Sequence, residues 1–392
     1  MQQKIKTIQS PELQYYIESS NQFYQDLLGY KPGKTSLQEI PESQWNEFTT
    51  QKGLNQDSSG IYLPRNQTAI IQQDNPLSLF HEYFGHGLYC EQALSGRKLV
   101  DLEKKLLEEE KQEFSDSRFN LKDLQKFRQQ NKTFQELEIF RQENLGRYEL
   151  FAIWTEYLLS KEFGLNKLFD EEYTFFNKEN RNAIDSAVNF SEQYGNLATF
   201  YEFGLARIQD KKRLTKLSMD LFGKKLLNKT PLILHFGSKK PFSDIDLFMA
   251  SNDIRSIYNL WLDVRSYTLN EVNNGIEVLN PMITDPIFSG DLIFGKEKHI
   301  EELKKKIIAQ PITEKAINFN LKEYECEKRR AKDKFLGKYL QNKNLRSSKA
   351  FLTNALALKN GDKVLTFNRL VDYTKNNFLQ NEKFIELKGG IN

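Results

Sequence analysis

Two short segments place different demands on the backbone. In His81-Glu82-Tyr83-Phe84-Gly85-His86, two histidines flank a glutamate within a run of apolar residues that reads as a buried helix. In Gly237-Ser238 and the following Asp244-Ile245-Asp246, a glycine ends an apolar run and two aspartates alternate with apolar residues, a strand pattern. A chain with both segments needs a helical layer and a sheet, and 392 residues leave room for two or three domains.

Composition narrows the class further. Hydrophobic residues make up 39% of the chain, enough to build cores. With 56 basic and 53 acidic side chains, the net charge of +3 does not by itself call for nucleic acid. Cys90 and Cys326 are the only cysteines, which excludes a cysteine zinc knuckle and argues against a disulfide framework. The first residues lack an apolar signal-peptide core and no stretch suits a bilayer, so the expectation is a cytoplasmic protein with no membrane partner.

The texture changes along the chain. Residues 1–60 mix short helical patterns with turns, Ile61–Leu63 and Ala69–Ile71 read as short strands, and Asp74-Asn75-Pro76 reads as a helix start. Residues 99–159 and 168–224 are helical in pattern. From Thr230 three compact apolar runs, PLILHFG, DIDLFMA and NLWLDVRSYT, read as a small sheet. After Lys296 the pattern is helical and basic. The expected fold is therefore multidomain, with a mainly α-helical domain over 1–225, a small α/β domain with a mixed sheet over 226–297, and a helical, basic region over 298–392.

In the first segment, His81 and His86 are five residues apart and account for half of the 4 histidines. At 3.6 residues per turn, positions five apart diverge by about 140° around an α-helix. A one-residue bulge would bring them together, and Gly85 would tolerate the distortion. Imidazole and carboxylate groups suit zinc, and Glu82 beside the first histidine suits a general base. The segment resembles the HExxGH variant of the zinc-peptidase signature found in the dipeptidyl-peptidase III family. That resemblance implies a zincin-like metallopeptidase domain with His81 and His86 as zinc ligands and Glu82 activating water. GRYELFAIWTEYLL resembles the later helix that supplies the third ligand, which the resemblance assigns to Glu149. Glu156 is the reserve candidate, or a group that orients a histidine. Tyr194 and Tyr201 do not make a convincing oxyanion partner. Ala69–Ile71 reads as an edge strand able to pair with an extended peptide substrate.

In the second segment, Gly237 permits a tight turn whose N–H groups, with the Ser238 hydroxyl, can face phosphate. Asp244 and Asp246 share one side of a strand, an arrangement suited to divalent cations. The segment resembles the minimal members of the polymerase-beta-like nucleotidyltransferase superfamily, over about residues 228–297. The resemblance implies Mg2+ held by Asp244, Asp246 and a third carboxylate, Asp263, and a nucleoside triphosphate, ATP by preference, cradled at Gly237 and Ser238. The spacer KKPFS is shorter than the family's usual one, which would narrow the pocket or alter nucleotide choice. Asp253 and Asp285 read as surface or cap residues, His235 as a packed strand residue, and His299 as solvent-facing.

The basic run from Lys304 to Lys349 is interspersed with glutamates and reads as a solvated helical face rather than an RNA site. The leading expectation is a fusion of a zinc-dependent peptidase with a magnesium-dependent nucleotidyltransferase. It would act on a peptide or protein and on a hydroxyl-bearing acceptor, whether RNA, protein or small molecule. The alternative keeps one half catalytic and the other as a scaffold or a nucleotide- or RNA-binding module. Oligomeric state is left open.

Overall fold

The computed structural model describes residues 11–53, 58–114 and 121–377. Residues 1–10, where the search for a signal-peptide core falls, lie outside the described residues. The chain is mostly helical, with two small mixed sheets, and forms two compact units, Met1–Ile208 and Gln209–Asn392. Helix Lys211–Phe222, which precedes the sequence boundary near 225, packs on a strand of the second unit. No helix among the described residues is long and apolar enough to cross a membrane.

The first unit carries a three-stranded sheet of β1 (Ser36–Ile40), β2 (Gly60–Leu63) and β3 (Thr68–Gln72), in the order β1-β3-β2. β3 runs parallel to β1 and antiparallel to β2. The expectation that Ala69–Ile71 forms an edge is therefore corrected. All three residues are buried, and β3 is the central strand. Consecutive buried apolar residues mark a strand covered on both faces, whereas a half-exposed edge would alternate. The strand with a free edge on the Gly60 side is β2.

The helix start at Asn75 forms as the sequence implies. Its side chain accepts the Ser78 N–H at 2.9 Å, with Pro76 in the first turn. The helix then widens into a π-helix over Leu79–Gly87 before resuming as Leu88–Gln92. It lies along the long helix Lys132–Glu162, which Asn131 caps by accepting the Phe134 N–H at 2.8 Å. Gly85 makes that approach possible, since a Cβ there would lie 2.7 Å from the Ala152 Cα. Below this contact Tyr24, Phe84, Phe151, Trp154 and Phe200 form a fully buried aromatic core. The buried Glu91 carboxylate accepts N–H bonds from Gly33, Lys34 and Thr35 at 2.7–2.9 Å, fixing the segment that leads into β1.

The second unit is built on a five-stranded sheet of β4 (Leu232–Phe236), β5 (Ile245–Ala250), β6 (Ile257–Tyr258), β7 (Leu262–Tyr267) and β8 (Asp291–Gly295). Its order is β6-β7-β5-β4-β8, and only β5 and β7 are parallel. Leu232, Leu234, Phe236 and Phe248 pack against Val272 and Ile276 of helix Leu269–Glu277, Ile283 and Ile287 of helix Pro281–Ser289, and Ile300 and Ile307 of helix Glu297–Ala309. The same core includes Ala316 of helix Glu314–Ala331 and Leu358 of helix Lys338–Lys359, so elements on both sides of residue 297 share one core. Buried Asn320 and Asn354 tie these two helices to the turn after residue 277. They donate to the Val278 and Leu279 carbonyls at 3.1 and 2.8 Å. Asp285 is buried, and its carboxylate accepts the Phe367 N–H at 2.9 Å, holding the start of helix Phe367–Asn377.

Candidate functional sites

The widening of the Leu79–Gly87 segment turns both histidines toward Lys132–Glu162. Glu149, Ala152 and Glu156 recur at three- and four-residue steps and so share one face of that helix. Ala152 touches Gly85, and the two glutamates flank the contact. The Glu149 Oε2 atom lies 3.7 Å from His81 Nε2 and 3.6 Å from His86 Nε2. His81 Nδ1 is 2.9 Å from Glu156 Oε2, so Nδ1–H donates to that carboxylate, and a neutral His81 in this tautomer has Nε2 as its electron-pair donor. His86 stacks on Tyr148 at 3.9 Å between ring centroids. Donor atoms of His81, Glu82 and His86 also lie within 4.8 Å of one another, with Glu82 Oε2 at 3.9 Å from His86 Nε2.

The electrostatics follow from burial and paired charge. Burial raises the Glu82 pKa from the ordinary carboxylate value, with both histidines opposing the shift, and its Oε2 has no hydrogen-bond partner among the described residues. Burial also disfavours charge on His81, but Glu149, Glu156 and Glu82 outweigh it and raise its pKa. For Glu149, burial is outweighed by the two histidines, and its pKa is lowered. A cavity of ≈ 780 Å³ opens beside this cluster and is lined by His81, Glu82, Glu156, Glu172 and Gly60 of β2. Glu172 is pushed up to about 7 by burial and by the neighbouring Glu156. Two imidazole nitrogens, one carboxylate and a carboxylate behind the first imidazole form a donor set that fits a catalytic zinc ion.

In the second unit, Gly237 has φ 79°, and a Cβ there would lie 2.2 Å from Asp246 Oδ2. Only glycine permits both the turn and this approach. Asp246 on β5 is in register with Asp263 on the parallel β7, while Asp244 lies immediately ahead of β5. Asp246 is pushed up to about 8, first by burial and then by Asp244, against the pull of Arg265. Asp263 is fully buried. Its Oδ2 accepts from Arg265 at 3.2 Å and from the Lys343 ammonium, whereas the buried Oδ1 has no hydrogen-bond partner among the described residues. Tyr339 donates its hydroxyl to Asp244 Oδ2 at 2.8 Å. The three carboxylates repel one another, and Arg265 and Lys343 take up part of that charge at Asp263. Among the described residues, the three-ligand group close enough to hold a metal ion as it stands is His81, Glu82 and His86, not the aspartates.

Sequence patterns did not single out Tyr148, Glu172, Arg265, Tyr339 or Lys343 as site residues. Arg265 had a usable signal, since residues two apart on a strand share a face and it sits two after Asp263. Lys343 belongs to the basic run read as a solvated face. The structure corrects that for this residue, which is largely buried against Asp263. Tyr194 and Tyr201 stay outside the histidine cluster. Tyr194 rings with Phe190 at 4.8 Å, and Tyr201 is buried in the core. His235 is packed as expected, with Nε2 2.7 Å from Gln209 Oε1, and His299 is exposed.

No protein-family model and no curated protein matches the chain. Among solved structures it is similar to a nucleotidyltransferase-like protein from Exiguobacterium sibiricum, with 13% identity and a TM-score of 0.24. That likeness covers 44% of this chain and 71% of the other. The likeness is weak.

Proposed function

We propose that the chain joins a zinc-dependent peptidase in the first unit to a magnesium-dependent nucleotidyltransferase in the second. The peptidase reading rests above all on one observation, the position of a single Glu149 oxygen within 3.7 Å of both His81 Nε2 and His86 Nε2. His81, His86 and Glu149 would hold zinc, which when bound supplies a Lewis acid and a water of lowered pKa. Glu156 fixes the His81 tautomer through Nδ1. Glu82 takes the proton of the attacking water on its carboxylate and passes it to the departing amine. Burial raises its pKa, the direction that favours taking up a proton. The free edge of β2 begins at Gly60 in the cavity wall and offers backbone partners to an extended peptide.

The second activity is favoured by a separate observation, the register of Asp246 with Asp263 beside the Gly237 turn. Asp244, Asp246 and Asp263 would hold magnesium, which when bound neutralises triphosphate charge and helps an acceptor hydroxyl ionise. Gly237 and Ser238 would face the phosphates. The nucleotide would be ATP by preference.

Metal analysis of the purified chain, a peptide-library hydrolysis assay and a labelled-triphosphate transfer assay test both halves. Glu82→Gln should retain zinc and transfer while losing peptide hydrolysis by roughly 10²–10⁴-fold. Asp246→Asn should lose transfer and keep hydrolysis. One activity absent from the wild type would reduce the reading to a single working half. A chain that binds neither zinc nor triphosphate would refute it.

A further inference from the structure

Helix Lys338–Lys359 sends two side chains to the aspartates, and they are four residues apart on one helical face. Lys343 reaches Asp263, and Tyr339 places a phenol hydroxyl 2.8 Å from Asp244 Oδ2. The Gly237 turn lies against Asp246, the next residue of the same pattern. The carboxylates therefore meet both the turn that would face phosphate, at Asp246, and a protein hydroxyl, at Asp244. An acceptor hydroxyl in such a reaction needs a carboxylate within hydrogen-bond reach to receive its proton.

We propose that Tyr339 is a nucleotide acceptor, so that the second unit modifies its own helix. The proposal rests on the nucleotidyltransferase reading of that unit. In the step, the Tyr339 oxygen forms a bond to the α-phosphorus of a nucleoside triphosphate. The bond from that phosphorus to the bridging oxygen of the β-phosphate breaks, and pyrophosphate leaves with the electron pair. The phenol proton passes to the Asp244 carboxylate. The product is a nucleoside monophosphate ester of tyrosine, whose added bulk and charge would displace the hydroxyl from Asp244 and free that carboxylate. The packing of Asn354 against the Leu279 carbonyl holds the later part of the helix, so the first turn is the part that would yield.

The test is peptide mapping by mass spectrometry of the full chain, as purified and after incubation with magnesium and ATP, GTP, CTP or UTP in turn. The expected result is an added nucleoside monophosphate on the peptide containing Tyr339, formed at a rate independent of protein concentration. Tyr339→Phe should lose that adduct while still binding a non-hydrolysable ATP analogue by calorimetry. If Tyr339→Phe proves unstable, the wild-type map alone decides. Wild-type chain that releases pyrophosphate without an adduct at Tyr339 overturns the proposal and leaves the nucleotidyltransferase reading standing. Failure of the wild type to bind any triphosphate overturns both.

Discussion

The contact between Gly85 and Ala152 can be tested by a single methyl group. Replacing Gly85 with alanine would put a Cβ 2.7 Å from the Ala152 Cα and 2.9 Å from its Cβ. Neither atom is the end of a flexible side chain, so the two helices must separate. Overpacking of this kind costs about 1–3 kcal/mol. Alanine also removes the excess unfolded-chain entropy of a helical glycine, which returns about 0.5–1 kcal/mol. Gly146 is the internal control, because it lies in the partner helix Lys132–Glu162 and an added Cβ would meet nothing within 4 Å. Gly146→Ala should therefore gain only the entropic part. The difference between the two variants isolates the overpacking cost, about 1–3 kcal/mol, because the entropic part is common to both. In a unit of this size that corresponds to melting temperatures separated by roughly 2–12 °C. Differential scanning calorimetry of the metal-free chain measures it. Gly85→Ala should also weaken zinc binding, since Glu149 and Glu156 ride on the helix that is pushed away. A Gly85→Ala chain as stable as Gly146→Ala would refute the reasoning.

Glu156→Ala should lower zinc affinity by roughly 10–100-fold in competition with a chromophoric chelator, because His81 loses the acceptor that fixes its Nδ1–H. Unchanged affinity would mean that Glu156 does not orient the ligand. In the second unit, burial pushes His235 down to about 4, with Lys239 adding to the shift. Between pH 6.5 and 4 the unfolded chain takes up a proton that folded His235 does not, so stability is full above that window and falls as pH drops through it. His235→Gln should flatten this part of the pH–melting curve for the second unit. A curve identical to wild type would exclude the histidine as its source.

The elements legible in the sequence are those whose logic is local. The five-residue histidine spacing implied a bulge, and a π-helix spans Leu79–Gly87. β4, β5 and β7 coincide with the three compact apolar runs. Glu149 and Glu156 are separated by two helical turns, and that spacing alone places them on a common face. What escaped notice depends on pairing across long stretches of chain. β6 has two residues, and β8 owes its place to pairing with β4, so neither has a pattern of its own. Glu91 looks like one glutamate among many until the backbone N–H groups of Gly33–Thr35 are brought to it. Tyr339 and Lys343 lie far along the chain from the aspartates they meet, inside a charged run whose plain reading is a solvated face. Ala69–Ile71 lies in a central strand rather than at an edge, because a three-residue apolar run does not reveal how many neighbours its strand has.

The widened turn at Leu79–Gly87 also constrains how this segment could change by insertion or deletion. The widened turn absorbs the fifth residue between the histidines, so deleting one residue within it would remove the residue and the widening together. A four-residue histidine spacing in an ordinary α-helix would result, with everything downstream left in its present phase. Glu91 would still face the Gly33–Thr35 backbone, and β1 would keep the anchor at its start. A deletion between His86 and Glu91 would instead turn Glu91 by about 100° away from that backbone. The short and long spellings of the motif are therefore interchangeable inside the widened turn, whereas the spacing from His86 to Glu91 is fixed by the anchor of the first sheet.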